Sequence, residues 1–224
     1  LFSRGFIKTG LGKRIAYNLI AAFGSSSLRL AYALALSDLI LAPATPSNTA
    51  RVGGVIMPIT TSLAKAFGSE PQDGPRKIGS FLMQSIYQVN TITSAMFQTS
   101  MAGNTLVAAL ALQSFGIGIT WGDWAMAAIV PGVIALIIMP YFIYKVYPPE
   151  IKDAREAQQM IKEELKGLGK MSFQEWVMLG VFILALVLWA TSQFTKIDAT
   201  TVAFLGISIL LATSVLVWDD VKSE

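Results

Sequence analysis

Pro43-Ala44-Thr45-Pro46-Ser47-Asn48-Thr49-Ala50-Arg51 is a polar stretch, broken twice by proline, set between two apolar arms over residues 28–41 and 52–67. At 1.5 Å per residue each arm rises about 20 to 24 Å, short of a hydrocarbon core about 30 Å thick. Two half-length arms joined by Ser, Asn and Thr predict a re-entrant helical hairpin whose tip stops near mid-membrane. Non-helical backbone at that depth survives only where it is buried in protein or lines a watery cavity. Pro43 and Pro46 donate no amide hydrogen and bias their predecessors away from helix, so the first arm is expected to end here. A carboxylate would then meet the free N–H groups and positive dipole end of the second arm, with Ser47, Asn48 and Thr49 adding side-chain hydrogen bonds. Carbonyls left over at the end of the first arm suit a small cation. The plainer alternative is an ordinary helix N-cap in an aqueous loop.

Composition points to a membrane. Of 224 residues, 54% are hydrophobic and 14% charged, against about a quarter charged in a typical soluble domain. The net charge of +3 is small, and the basic residues sit in short loops beside apolar runs. They read as topology signals rather than a nucleic-acid surface. Without cysteine or histidine there is no disulfide framework, no thiolate chemistry and no basis for a transition-metal site. Leu1 is not an initiator and no signal peptide precedes the first apolar segment, so the chain is expected to be a piece of something longer.

Taken in order, residues 1–26 place Arg4, Lys8, Lys13 and Arg14 beside Ile15, Leu19, Ile20 and Phe23, which predicts an amphipathic helix at the cytoplasmic interface. The hairpin occupies 27–67. The segment 68–147 holds a turn-rich loop, a broken transmembrane helix over 78–115 and a full span over 124–147. Within the broken helix Gln84, Gln88, Thr91, Ser94 and Gln98 fall on one face. That face is expected to look into the bundle or a water-filled path, or to glue two helices together. Its interruption is expected over 99–105, with the helix resuming at Leu106. Residues 148–172 alternate Lys and Arg with Glu and Asp and predict a charged cytoplasmic linker helix. Residues 173–224 read as two further spans, 173–194 and 200–218. The fold class is therefore an all-α integral membrane protein, a re-entrant helical hairpin with broken and full transmembrane helices.

The positive-inside rule favours the hairpin. Basic residues cluster at 1–14, at Arg76 and Lys77, and over 145–170, whereas 116–123 has none. One crossing over 27–67 would put Arg76 and Lys77 opposite the basic N-terminus; a hairpin returns them to the same side. Asp38 and Arg51 are ionisable groups at membrane depth, hence functional candidates. Arg51 either steadies an anionic substrate, pairs with Asp38 or snorkels into a cavity.

Ser47-Asn48-Thr49 at a hairpin tip, preceded by Gly10-Leu11-Gly12-Lys13-Arg14-Ile15-Ala16-Tyr17 and followed by an Asn104-bearing broken helix, resembles the divalent anion/sodium symporter family. The Pro-Ser-Asn-Thr-Ala-Arg form is similar to its bacterial dicarboxylate and citrate antiporters and plastid 2-oxoglutarate/malate translocators. The resemblance covers essentially the whole chain. It implies one part of an inverted-repeat elevator transporter, a homodimer in the lipid bilayer of a bacterial inner membrane or a plastid inner envelope. Two Ser-Asn-Thr tips would grip a di- or tricarboxylate such as succinate, malate, tartrate, 2-oxoglutarate or citrate. It further implies substrate contacts from Ser47, Asn48, Thr49, Arg51, Asn104 and Thr105. If the protein is sodium-coupled, it implies a sodium site framed by Thr45, Ser47, Asn48, Ser100 and Gly103; no other cofactor is implied.

Two departures stand out. Only one Ser-Asn-Thr occurs, so the second tip and the early scaffold helices are missing from these residues. Sodium-coupled members place a serine four residues before the tip serine and a Gly-Thr-Pro-Pro-Asn-like run in the broken helix. Here those places hold Pro43 and Ser100-Met101-Ala102-Gly103-Asn104, which leans the reading toward dicarboxylate exchange. Two other functions compete. One is a truncated fragment with no transport of its own. The other is an intramembrane serine hydrolase using Ser47, for which no histidine base and no Gly-x-Ser-x-Gly are present.

Overall fold

The computed structural model describes residues 2–222; Leu1, Ser223 and Glu224, at the ends of the first and last expected segments, lie outside them. Helices are the regular elements among the described residues, apart from an isolated bridge between Ser26 and Asp153. The helices are α1 (Phe2–Thr9), α2 (Leu11–Phe23), α3 (Ser27–Leu41), α4 (Asn48–Arg51), α5 (Met57–Ala66), α6 (Gly79–Met96), α7 (Ala102–Phe115) and α8 (Trp121–Val146). They continue with α9 (Arg155–Gly167), α10 (Phe173–Ala190), α11 (Ser192–Thr195), α12 (Ala199–Ala212) and α13 (Trp218–Lys222). A 3₁₀ turn, Ala42–Ala44, follows α3; a π-helical turn, Val52–Ile56, joins α4 to α5; a second 3₁₀ turn, Gln98–Ser100, separates α6 from α7.

Caps set the long elements. Ser26 accepts from the Arg29 amide at the start of α3, and capping boxes, Thr120 with Asp123 and Ser172 with Glu175, open α8 and α10. Gly116, at φ 67°, closes α7 in the left-handed conformation. Among the described residues three stretches are long and apolar enough to cross a membrane: Ser27–Ala44, Trp121–Val146 and Phe173–Ala190.

The base of the hairpin is closed by main-chain hydrogen bonds between segments far apart in sequence. Ser27 N donates to Lys152 O at 3.0 Å, Ala154 N to Ser25 O at 3.2 Å, Glu150 N to Arg76 O at 3.1 Å and Ile151 N to Lys77 O at 2.9 Å. Ser69 Oγ accepts from Gly79 N at 2.9 Å, and Lys77 Nζ donates to Gly68 O at 2.9 Å. The start of α3, the end of α5, the start of α6 and the linker before α9 therefore share one end of the bundle. The chain leaves that end along α3 and returns to it along α5.

Depth differs from expectation. Ser26 starts α3 early, and Pro43 sits in the 3₁₀ turn, where its fixed φ extends the helical stretch instead of ending it. The first arm thus runs 18 residues, Ser27–Ala44, long enough to cross, and is not half-length. Thr99 Oγ1 bonds Pro43 O, and Trp121 Nε1 bonds Thr99 Oγ1, so the tip stands level with the first turn of α8 and not halfway along it. The whole of α6, about 27 Å, separates tip from base.

Other expectations are corrected as well. Residues 1–26 are two helices packed into the core through Phe2, Phe6, Leu11, Ala16, Tyr17 and Ile20. Their basic residues are paired: Lys8 and Arg4 with Asp220, Arg14 with Glu175, Lys13 with Glu164. The α6 face carrying Gln84 and Thr91 is exposed; only Ser94 and Gln98 of that set are buried. The break comes at 97–101 and α7 begins at Ala102, earlier than Leu106. The span expected over 200–218 is a 14-residue helix. It stops because Ser214 adopts φ 57° and Leu216 N turns back to Leu210 O at 3.0 Å.

Candidate functional site

Ser47 is the extended N-cap of α4, its Oγ accepting from Ala50 N at 3.2 Å, while Asn48 Oδ1 accepts from Thr49 N at 2.9 Å. Two of the first amides are thus already satisfied locally. The Ser47 and Thr49 side chains are exposed and Asn48 is half-buried; the Asn48 Nδ2 donor makes no hydrogen bond with the described residues. Three polar side chains on consecutive residues are presented outward from a fixed turn.

Beneath them lies a charged knot. Arg51 is 1% exposed and Asp38 2% exposed, and Arg51 Nε donates to Asp38 Oδ1 at 2.8 Å. Arg51 Nη1 donates to the carbonyls of Thr45 at 3.2 Å and Ser100 at 3.3 Å, and Nη2 to the hydroxyls of Thr93 at 3.2 Å and Ser94 at 3.0 Å. All five guanidinium hydrogens are used. Thr93 passes its own proton to Asp38 Oδ2, and Asn90 Nδ2 approaches the same oxygen at 3.5 Å. Of the three expectations for Arg51, the pairing with Asp38 is the one the geometry fits: the side chain is turned into protein rather than toward a ligand.

The broken helix meets the tip. Ser100 Oγ donates back to carbonyls at the end of α6, and Asn104 Nδ2 donates to Ser94 O at 2.7 Å and Phe97 O at 2.9 Å. Asn104 therefore caps the frayed end of α6, and its oxygen makes no hydrogen bond with the described residues. Thr105, exposed, donates to Ala102 O. Thr45 donates its hydroxyl proton to Leu41 O. The structure therefore brings Thr45, Arg51 and Ser100 directly together, with Ser47, Asn48 and Thr49 on the solvent side of them. Gly103 is half-buried at the start of α7.

Asn90, Thr93, Thr99 and Trp121 were not anticipated. For the first two a signal existed: Asn90, Thr93 and Ser94 stand at i, i+3 and i+4, one face of α6. Thr99 and Trp121 are paired by tertiary packing that spacing does not reveal.

Residues 1–224 match the family model described as the sodium:sulfate symporter transmembrane region. The chain belongs to this family. It is 54% identical, over 99% of its length, to YflS of Bacillus subtilis, which is named as a malate transporter and of which the match covers 47%. It is 47% identical over all of its length to the chloroplastic dicarboxylate transporter 1 of Spinacia oleracea, covering 39% of that protein. It is also 47% identical over 98% of its length to the inner membrane protein YbhI of Escherichia coli, covering 46%. The chain spans less than half the length of these relatives. Family and relatives are membrane transporters, not enzymes, which removes the serine hydrolase reading.

Proposed function

We propose that the protein to which these residues belong exchanges small dicarboxylates across a membrane, with Ser47, Asn48 and Thr49 holding one substrate carboxylate. The observation that carries this reading is the outward-facing tip fixed over a fully bonded Arg51, in a chain whose relatives are named for malate and dicarboxylates. The hydroxyls and the Asn48 amide recognise carboxylate oxygens, and Asn104 and Thr105, at the start of α7, border the substrate in this reading.

Exchange is favoured over sodium symport by what Arg51 does to the expected cation ligands. A sodium ion at this tip would need oxygens from Thr45, Ser47, Asn48, Ser100 and Gly103. The Thr45 and Ser100 carbonyls instead accept from one guanidinium nitrogen. Nη1 occupies the direction a cation would take and provides positive charge without an ion from solution. Differential binding of substrate by inward- and outward-facing states then does the coupling. The remaining half of the protein supplies a second tip in this reading, and the assembly is a homodimer moving by an elevator step in a bacterial inner membrane or plastid inner envelope.

The test is uptake of labelled malate into proteoliposomes containing the intact protein, with and without internal dicarboxylate and with and without a sodium gradient. Exchange requires uptake that depends on internal anion, ignores sodium and is lost in Asn48→Ala. Sodium-driven uptake without internal anion would make the protein a symporter and refute the role given to Arg51. Normal transport by Asn48→Ala would refute the tip.

A further inference from the structure

We propose that Trp121 and Thr99 are positioning residues for the tip, acting on it through a one-way relay of hydrogen bonds that ends on Pro43. The relay rests on the preceding reading only in taking the tip to be where substrate sits. Trp121 Nε1 donates to Thr99 Oγ1 at 2.9 Å, and Thr99 Oγ1 donates to Pro43 O at 2.5 Å. Its direction is forced, because an indole N–H only donates and a carbonyl only accepts, so the single hydroxyl proton goes to Pro43.

Pro43 needs this outside donor. Its carbonyl would find a main-chain partner three or four residues on, but Pro46 has no N–H and Ser47 is extended at φ −117°, ψ 107°. A buried carbonyl left without a partner is costly, and the Thr99 hydroxyl provides one. The carbonyl so held lies four residues before Ser47, on the strand of chain that carries the tip.

The other end of the relay is anchored in aromatic packing. Trp121 stacks on Phe97 at 5.6 Å between centroids and 16° between planes, and on Trp189 of α10 at 6.3 Å and 17°. Trp189 in turn donates to Ala199 O at 3.2 Å, at the start of α12. The indole of Trp121 is thus clamped between the break of the broken helix and the α10–α12 pair. A shift of α10 against α8 reaches Pro43 through two hydrogen bonds, which ties the tip's setting to the packing of helices that carry no substrate group.

The experiment places Thr49→Cys as the single cysteine of the intact protein and measures its labelling rate by a charged methanethiosulfonate in membranes; malate exchange is measured separately, in proteins that keep Thr49. Thr99→Val keeps the volume and removes both bonds; Trp121→Phe keeps an aromatic ring in the stack and removes the N–H; Thr99→Ser keeps the hydroxyl. Thr99→Val and Trp121→Phe are each expected to change the labelling rate roughly two- to tenfold, the factor one net hydrogen bond is worth. They should raise the half-saturation for malate by a similar factor with turnover little altered, and Thr99→Ser should restore both. Unchanged labelling in Thr99→Val, or a Thr99→Ser as impaired as Thr99→Val, overturns the relay. Labelling that follows the variants as described while no variant, nor the parent, exchanges any dicarboxylate upholds the relay and sinks the substrate reading instead.

Discussion

Removing Arg51 should unfold the tip's foundation, and the cost can be worked from its partners. Arg51→Met deletes a charge-assisted bond to Asp38 and strands the carbonyls of Thr45 and Ser100 in buried surroundings. Asp38 keeps only the Thr93 hydroxyl and the distant Asn90 amide. Breaking a buried pair by removing one partner typically costs about 3–5 kcal/mol, because the surviving charge is left uncompensated. Asp38→Leu is expected to cost about the same, since it leaves a buried guanidinium with neutral partners only. The double variant Asp38→Leu/Arg51→Met strands no charge, so it should lose about 2–3 kcal/mol less than the sum of the two. Arg51→Lys should recover less than half of the Arg51→Met loss, because three ammonium donors on a point charge cannot serve five diverging acceptors. Equilibrium unfolding in detergent micelles, followed by tryptophan fluorescence, measures all four. Additive single losses, or an Arg51→Met loss below about 1 kcal/mol, would refute the claim that this pair is a coupled, buried unit.

Further expectations concern packing and the helices at the base. Gly132 of α8 faces Met96 of α6 so closely that a Cβ would come within 2.6–2.8 Å of its side chain; Gly132→Val should destabilise by about 1–3 kcal/mol in the same unfolding assay. Asp220 is held down to about 2, first by the Lys8 ammonium and then by the Val217 amide. A carboxyl depressed in the folded protein stabilises above its unfolded value and loses that contribution as pH falls toward the folded one. Asp220→Asn should therefore melt below the parent above about pH 4, and the two should converge near pH 2. Tyr17 is pushed well above the usual tyrosine range, by burial and then by its bond to Glu164. In an absorbance titration Tyr17→Phe should remove a late-ionising tyrosine, and a variant curve that loses an early step would contradict the Tyr17–Glu164 contact.

Part of the local geometry of the candidate site was legible in Pro43–Arg51. Two prolines flanking Ala44-Thr45 and a Ser-Asn-Thr cap announced a turn carrying donors, and Asp38 with Arg51 offered a pair as one of three fates for the arginine. The positive-inside count also grouped Arg76 and Lys77 with the basic segment over 145–170, and their carbonyls do accept from Glu150 and Ile151. Depth was not legible. Counting arm lengths assumed that Pro43 ends a helix, whereas a proline entering a 3₁₀ turn prolongs it by three residues. Periodicity chose only part of the buried face of α6: Ser94 meets Arg51. Gln84 and Thr91 are exposed, yet Asn90 and Thr93, one helical step round, meet the buried charge where α3 and α6 lie close. The shortness of α12 depended on Ser214 taking a left-handed conformation, which serine rarely signals.

The closure at the hairpin's base has a consequence in time. Ser27 Oγ finds its acceptor on Ile151, 124 residues later in the chain. At ribosomal rates of about 5–20 residues per second, roughly 6–25 s pass between synthesis of the two. Throughout that interval α3 and its proline-broken tip are inside or beside the membrane without the segment that fastens them. The tip is made early and secured late, so a chain stalled or cut before residue 150 would carry it without the main-chain bonds from residues 150–154 that close its base.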